Sequence, residues 1–139
     1  MLFRSAYADK AKLLSESDVV SIHPKFSERS RGLLGAADLE RMKKNAILVN
    51  TSRGPIVDQT ALLAALNAGK IGCAALDVYE IEPLPADHPM RTAPRTVLTP
   101  HIGFVADDNY TVFYGQSVEN ILAFLDGKPL RIIDPSAGH

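Results

Sequence analysis

Four short apolar runs, each ending in polar residues and each preceded by a helix-like or turn-rich stretch, constrain this chain more than any other feature. They are Val19-Val20-Ser21-Ile22-His23, residues 46–50, residues 71–78 and Thr96-Val97-Leu98-Thr99. Each is too short to stand as a helix and is rich in β-branched or small residues, so each reads as a strand of a buried sheet. Helical spacing marks the stretches between them. Residues 6–16 carry Ala8, Ala11, Leu13 and Leu14 among charges, and residues 36–42 place Leu39 and Met42 on one face. Asp58 reads as the N-cap of a helix through Leu62, Leu63, Leu66 and Asn67, with Gly69 at the left-handed position that ends it. Residues 107–125, with Val112, Val118, Ile121, Leu122 and Leu125, read as a long last helix. Strand and helix in alternation predict an α/β fold, a parallel sheet with helices on its faces.

At 139 residues the chain is long enough for one domain with a core, and its 46% hydrophobic content is that of a globular protein. A formal net charge of −1 offers no electrostatic attraction to nucleic acid or to an anionic membrane. No apolar run reaches the length of a bilayer span, and no secretory apolar segment follows the start. The single cysteine, Cys73, excludes an internal disulfide, and no residues stand at metal-ligand spacing, so no metal is expected. A reducing, cytoplasmic setting is the default expectation. Residues 1–5 read as a non-native leader, residues 6–127 as the folded part, and residues 128–139 as an extended tail.

The carboxyl ends of parallel strands share one edge of the sheet, where open α/β folds bind their ligands. Those ends carry His23, Arg53, Asp77 and His101, with Glu82 just beyond Asp77. Each has an ordinary structural explanation. Arg53 could pair with a local acid, His23 before Pro24 could be a satisfied turn residue, Asp77 could cap a turn, and Glu82 could be a solvated loop charge. Together they make a workable acid–base set for a small carboxylate. The guanidinium of Arg53 can hold a carboxylate through two parallel hydrogen bonds and polarise a carbonyl, and His101 can move a proton near neutral pH. Glu82 would orient the imidazole and favour its protonated form.

No G-x-G-x-x-G opens a first strand-to-helix turn, so the chain is either a small self-contained α/β module or the second half of a dinucleotide-binding domain. Three segments bear on that choice. The stretches 50–58 (Asn50-Thr51-Ser52-Arg53-Gly54-Pro55-Ile56-Val57-Asp58), 74–83 (Ala74-Ala75-Leu76-Asp77-Val78-Tyr79-Glu80-Ile81-Glu82-Pro83) and 99–103 (Thr99-Pro100-His101-Ile102-Gly103) resemble the signatures of the D-isomer-specific 2-hydroxyacid dehydrogenases. They stand in that family's order and at its approximate spacing, and Val19 to His23 with Arg31-Gly32-Leu33-Leu34-Gly35 resembles the segment before them.

The resemblance implies the second half of a Rossmann-like doubly wound parallel sheet, about four strands, with a long C-terminal helix that leads back to a substrate domain. It implies an oxidoreductase passing a hydride between NAD (or NADP) and a small D-2-hydroxy or 2-oxo acid, a homodimer in its intact form. It makes Arg53, Glu82 and His101 the catalytic residues. It sets His23, Pro24, Thr51, Ser52, Arg53, Asp77, His101 and Gly103 along the cofactor, with Asp77 near the carboxamide. Pro24 departs from many relatives by lacking a backbone N–H. The glycine-rich loop and most of a substrate domain are outside this sequence, so the expectation is a fragment with little activity by itself. A rival reading from the same resemblance is a non-enzymatic NAD-sensing regulator of like fold.

Overall fold

The computed structural model describes residues 5–134. Its elements run α1 (Lys10–Glu16), β1 (Val19–Ile22), α2 (Ala36–Leu39), β2 (Ile47–Asn50), α3 (Gln59–Asn67), β3 (Cys73–Leu76), β4 (Thr96–Leu98) and α4 (Asp107–Leu125). Two short 3-10 turns, Gly54–Ile56 and Pro89–Thr92, follow β2 and precede β4. The chain forms two compact units divided between Ile102 and Gly103, so α4 belongs to the second.

In the first unit the four strands make one parallel sheet in the order β1-β2-β3-β4. Its register sets Val20 beside Leu48 and Ala74, and Ile22 beside Asn50 and Leu76. These residues point to one face and all are buried, because side chains alternate along a strand. Leu14 of α1, Leu39 of α2, and Leu62 and Leu66 of α3 join them in a single core. Leu48 and Ala74 have no exposed surface, and the small side chains of β3 leave room for these helices. The other face is different. Val19, Ile47 and Val97 are 55%, 38% and 59% exposed, so within this unit the helices cover one face of the sheet.

Local chemistry explains the element boundaries. Asp9 takes an extended conformation and its carboxylate accepts the Lys12 N–H at 2.8 Å, so the first helix starts at Lys10 and residues 6–9 are not helical. The Lys10 ammonium then bonds Asp38 at 2.9 Å and ties α1 to α2. The helix expected over 36–42 ends as one turn at Leu39. Asp58 accepts the Ala61 N–H at 2.9 Å as the N-cap of α3, and Gly69 has φ +67°, the conformation that makes glycine the natural residue there. The apolar runs 71–78 and 19–23 contract to Cys73–Leu76 and Val19–Ile22, where ladder partners exist.

In the second unit, α4 spans nineteen residues, with Asp107 and Asp108 in its first turn, where negative charge suits the helix dipole. Its large apolar residues, among them Val112, Val118, Ile121, Leu122 and Leu125, are all exposed. Arg131 folds back on the helix through Glu119 at 2.6 Å and Asn120 at 2.8 Å. No helix among the described residues is long and apolar enough to cross a membrane. The sequence readings of a leader over residues 1–5 and a tail from residue 128 fall partly outside the described residues. Residues 128–134 contain no helix or strand.

The central position of Leu48 gives a direct check of this core. Leu48→Ala should lower the free energy of unfolding by about 2–5 kcal/mol, whereas Val97→Ala on the open face should change it by no more than about 0.5 kcal/mol. Urea denaturation of the two variants measures the contrast.

Candidate active site

The parallel ladder brings the carboxyl ends of all four strands to one edge, and the turns that follow each strand carry the polar residues. After β2, buried Asn50 shapes the turn from both sides. Its Oδ1 accepts the Ser52 N–H at 3.1 Å and its Nδ2 donates to the Arg53 carbonyl at 3.0 Å. Ser52 Oγ donates to the Pro24 carbonyl at 2.8 Å, which ties this turn to the one after β1. Arg53 Nη1 donates to the Ser52 carbonyl at 2.7 Å, and Thr51 is exposed. His23 lies at the sheet's outer strand, exposed, with Nε2 at 2.8 Å from Ser21 Oγ.

After β3, the Asp77 carboxylate is buried and works on the turn that follows β4. Its Oδ1 accepts the Thr99 hydroxyl at 2.5 Å and the Ile102 N–H at 2.9 Å. Between those two residues stands His101 with φ +56°, a left-handed backbone uncommon for a residue with a side chain. A strained residue of this kind persists where its surroundings over-determine it, and Asp77 grips the turn on both sides of His101. His101 Nδ1 lies 2.5 Å from Glu82 Oε2, with the two side chains 38% and 31% exposed. The other carboxylate oxygen, Oε1, accepts the Tyr79 N–H at 2.8 Å.

Burial alone would push the Glu82 carboxyl up. The hydrogen bonds from His101 and from the Tyr79 N–H, with the charges of His101 and Arg53, outweigh it and hold the group below its ordinary value. Arg53 is therefore close enough for its charge to be felt at Glu82. A cavity of about 590 Å³ opens beside the pair, bounded by Glu82, Leu84, Arg91, Leu98 and His101 among others. Arg53 is not part of its wall. Among the described residues no cluster of His, Cys, Asp or Glu could hold a metal ion. Gly103 falls in the second unit, where it is the first residue.

The structure thus brings Glu82 and His101 into contact, places Asp77 behind them, and sets Arg53 within electrostatic reach. His23 sits apart at the outer strand. Two residues of the site, Asn50 and Tyr79, stand within the stretches 50–58 and 74–83 but are not among the residues that residue type and spacing single out for a role. A buried asparagine at the end of an apolar run is the one visible hint.

The family described as D-isomer specific 2-hydroxyacid dehydrogenase, NAD binding domain, matches residues 3–103. The chain belongs to that family. Its cofactor class is therefore NAD. The chain is 41% identical to glyoxylate/hydroxypyruvate reductase B of Citrobacter koseri over 126 residues, covering 91% of this chain and 39% of the relative. It is 44% identical to glyoxylate reductase of Aeropyrum pernix over 122 residues, covering 88% and 36%. Among solved structures it resembles a phosphoglycerate oxidoreductase from Vibrio cholerae, with a TM-score of 0.80 and 35% identity over 87% of this chain and 39% of that one. The chain spans about two-fifths of the length of these relatives.

The depressed Glu82 value has a consequence for stability. A carboxyl whose folded value lies below its unfolded one contributes stability above the unfolded value of about 4.3, and that contribution is lost as pH falls through the folded value. The stability gap between wild type and Glu82→Gln should therefore be fully open at pH 6 and should close steadily below about pH 4.3. Urea midpoints across that range measure it. A gap that does not change with pH would show that His101 and Arg53 do not stabilise the carboxylate.

Proposed function

We propose that this chain supplies the acid–base and substrate-anchoring half of an NAD-dependent oxidoreductase that interconverts a small D-2-hydroxy acid and its 2-oxo acid. The observation that carries the proposal is the His101–Glu82 hydrogen bond at the carboxyl edge of a parallel sheet. Because Nδ1 is turned to Glu82, the proton that is exchanged with substrate sits on Nε2, which has no protein partner among the described residues. In the reductive direction His101 gives that proton to the oxygen on C2 of the 2-oxo acid. Glu82 fixes which nitrogen of the imidazole faces the substrate.

Arg53 would hold the substrate carboxylate and draw electron density from the adjacent carbonyl. The donors and acceptors along the edge suit the nicotinamide half of the dinucleotide: hydroxyls on Thr51 and Ser52, and the carboxylate of Asp77 toward the carboxamide. His23, Pro24, Arg53, His101 and Gly103 complete the proposed cofactor contacts. Bound NADH supplies the hydride for C2. The substrate class follows the names of the relatives, glyoxylate and hydroxypyruvate reductases, and NADP stands as an alternative carrier. The remaining three-fifths of such relatives has no counterpart in the matched residues, so the reaction is proposed for the protein in which this domain stands beside one of that kind. That protein would be a homodimer working in the cytoplasm, with no nucleic acid or membrane among its partners.

NADH oxidation followed with glyoxylate or hydroxypyruvate tests the proposal in that protein. His101→Ala should lower kcat by roughly 10²–10⁴-fold. Arg53→Lys should lower kcat/KM by roughly 10–100-fold, the cost of losing a charge-assisted pair of hydrogen bonds. NADH binding without oxidation of any 2-oxo acid would overturn the enzymatic reading and favour a cofactor-sensing role.

A further inference from the structure

Tyr79 lies just past β3 and is 5% exposed; it lines the cavity beside Glu82 and His101, and the roles above use its backbone N–H but not its phenol. Its groups reach three places. The phenol oxygen lies 3.1 Å from the Leu76 carbonyl and 3.0 Å from the Thr99 carbonyl, so its single proton is shared across the gap between the ends of β3 and β4. Thr99 is two residues from His101, and the Leu76 carbonyl already accepts the Thr99 N–H at 2.9 Å. The backbone N–H of Tyr79 donates to the same carboxylate that holds His101.

The third contact is steric. A β-carbon added to Gly54, the residue after Arg53, would fall 2.0 Å from the Tyr79 carbonyl carbon and 2.5 Å from the Glu80 nitrogen. Only glycine lets the Arg53 turn rest on that peptide. Burial, with the Asp77 and Glu82 carboxylates nearby, holds the phenol above its ordinary value, so the hydroxyl stays protonated as a donor.

We propose that Tyr79 is a positioning residue of the active site, one buried side chain and its peptide fixing the His101 turn, the Glu82 carboxylate and the Arg53 turn against each other. It rests on the acid–base reading above, and it goes further by naming what holds the three groups in register. Tyr79 touches no substrate in this account. Its hydroxyl sets the spacing of the strand ends, so that the left-handed backbone of His101 delivers Nδ1 to Glu82. A loss of this spacing would lengthen the short His101–Glu82 hydrogen bond without opening the core beneath it.

Tyr79→Phe isolates the hydroxyl, since the ring still fills its place. In the 15N-labelled chain, exchange of the Ile102 amide and of the His101 Nδ1–H proton should speed up about tenfold, equivalent to about 1.4 kcal/mol. The amides of Leu48 and Ala74 at the sheet centre should change less than twofold. Unchanged exchange at Ile102 and His101 would overturn the proposal, and so would an equal rise at every amide, which would mean a merely structural role. Gly54→Ala, pressing on the same peptide, should raise exchange of the Tyr79 N–H that Glu82 accepts. An unchanged rate there would also count against it.

If Tyr79→Phe does not fold, the wild-type chain decides. A Tyr79 hydroxyl proton in slow exchange with water supports the shared bond, and one that exchanges freely refutes it. None of these readouts needs turnover, so an inactive protein would defeat the functional reading and leave this test standing. In an active protein, Tyr79→Phe should lower kcat with KM for the 2-oxo acid within twofold of wild type.

Discussion

The whole arrangement depends on the parallel pairing of β2 with β3. Leu48 and Ala74 face each other with no exposed surface, and every helix of the first unit packs on the face they share. Parallel strands cannot reverse through a tight hairpin, so each must return by a crossover before the next begins. The result is that β1, β2, β3 and β4 all finish at one edge. The polar residues collect there because each strand stops and the chain must turn, not because they attract one another. The ladder brings the groups together, and hydrogen bonds then aim them.

The aiming is done mostly by groups that would do no chemistry. Asn50 folds the Arg53 turn with its two amide atoms, and Asp77 grips the chain on either side of His101. Each is a buried polar side chain whose hydrogen-bonding capacity is used by the protein itself, the condition under which such burial is tolerable. The left-handed backbone of His101 costs free energy locally, and the bonds to Asp77 offset it. The imidazole is thereby presented at a fixed angle to Glu82, while both side chains keep about a third of their surface open. Fixed geometry with partial access is what proton exchange with a small molecule needs.

Much of this was legible in the sequence, and the reasons differ by feature. The four strands announced themselves because short β-branched or small-residue runs bounded by turn residues have few other solutions. Asp58, Gly69 and the bounds of α4 followed from capping chemistry and helical spacing. The strand ends were blurred, since 71–78 is apolar beyond the four residues that find ladder partners. Burial along the edge strand is split by face, which alternation alone does not assign: Val20 and Ile22 are buried in one core with Leu14 of α1, whereas Val19, with Ile47 and Val97, lies on a face that the helices of the first unit leave exposed. Tyr79 stands within the 74–83 stretch, but the role of its hydroxyl does not show in residue type or spacing. Its partners are backbone carbonyls, which every residue has, so no spacing of residue types betrays it.

The central claim is that the carboxyl edge of this sheet is where cofactor and substrate meet. Amide chemical shifts of the 15N-labelled chain, followed while NAD is added, test it most directly, since even weak binding displaces them. The account predicts shifts grouped at Thr51, Ser52, Asp77, His101 and Ile102, with the opposite edge at Asp18, Asn45, Gly72 and Arg95 unmoved. Shifts grouped at that opposite edge, or none at NAD concentrations up to saturation of the signal in an intact relative, would contradict it.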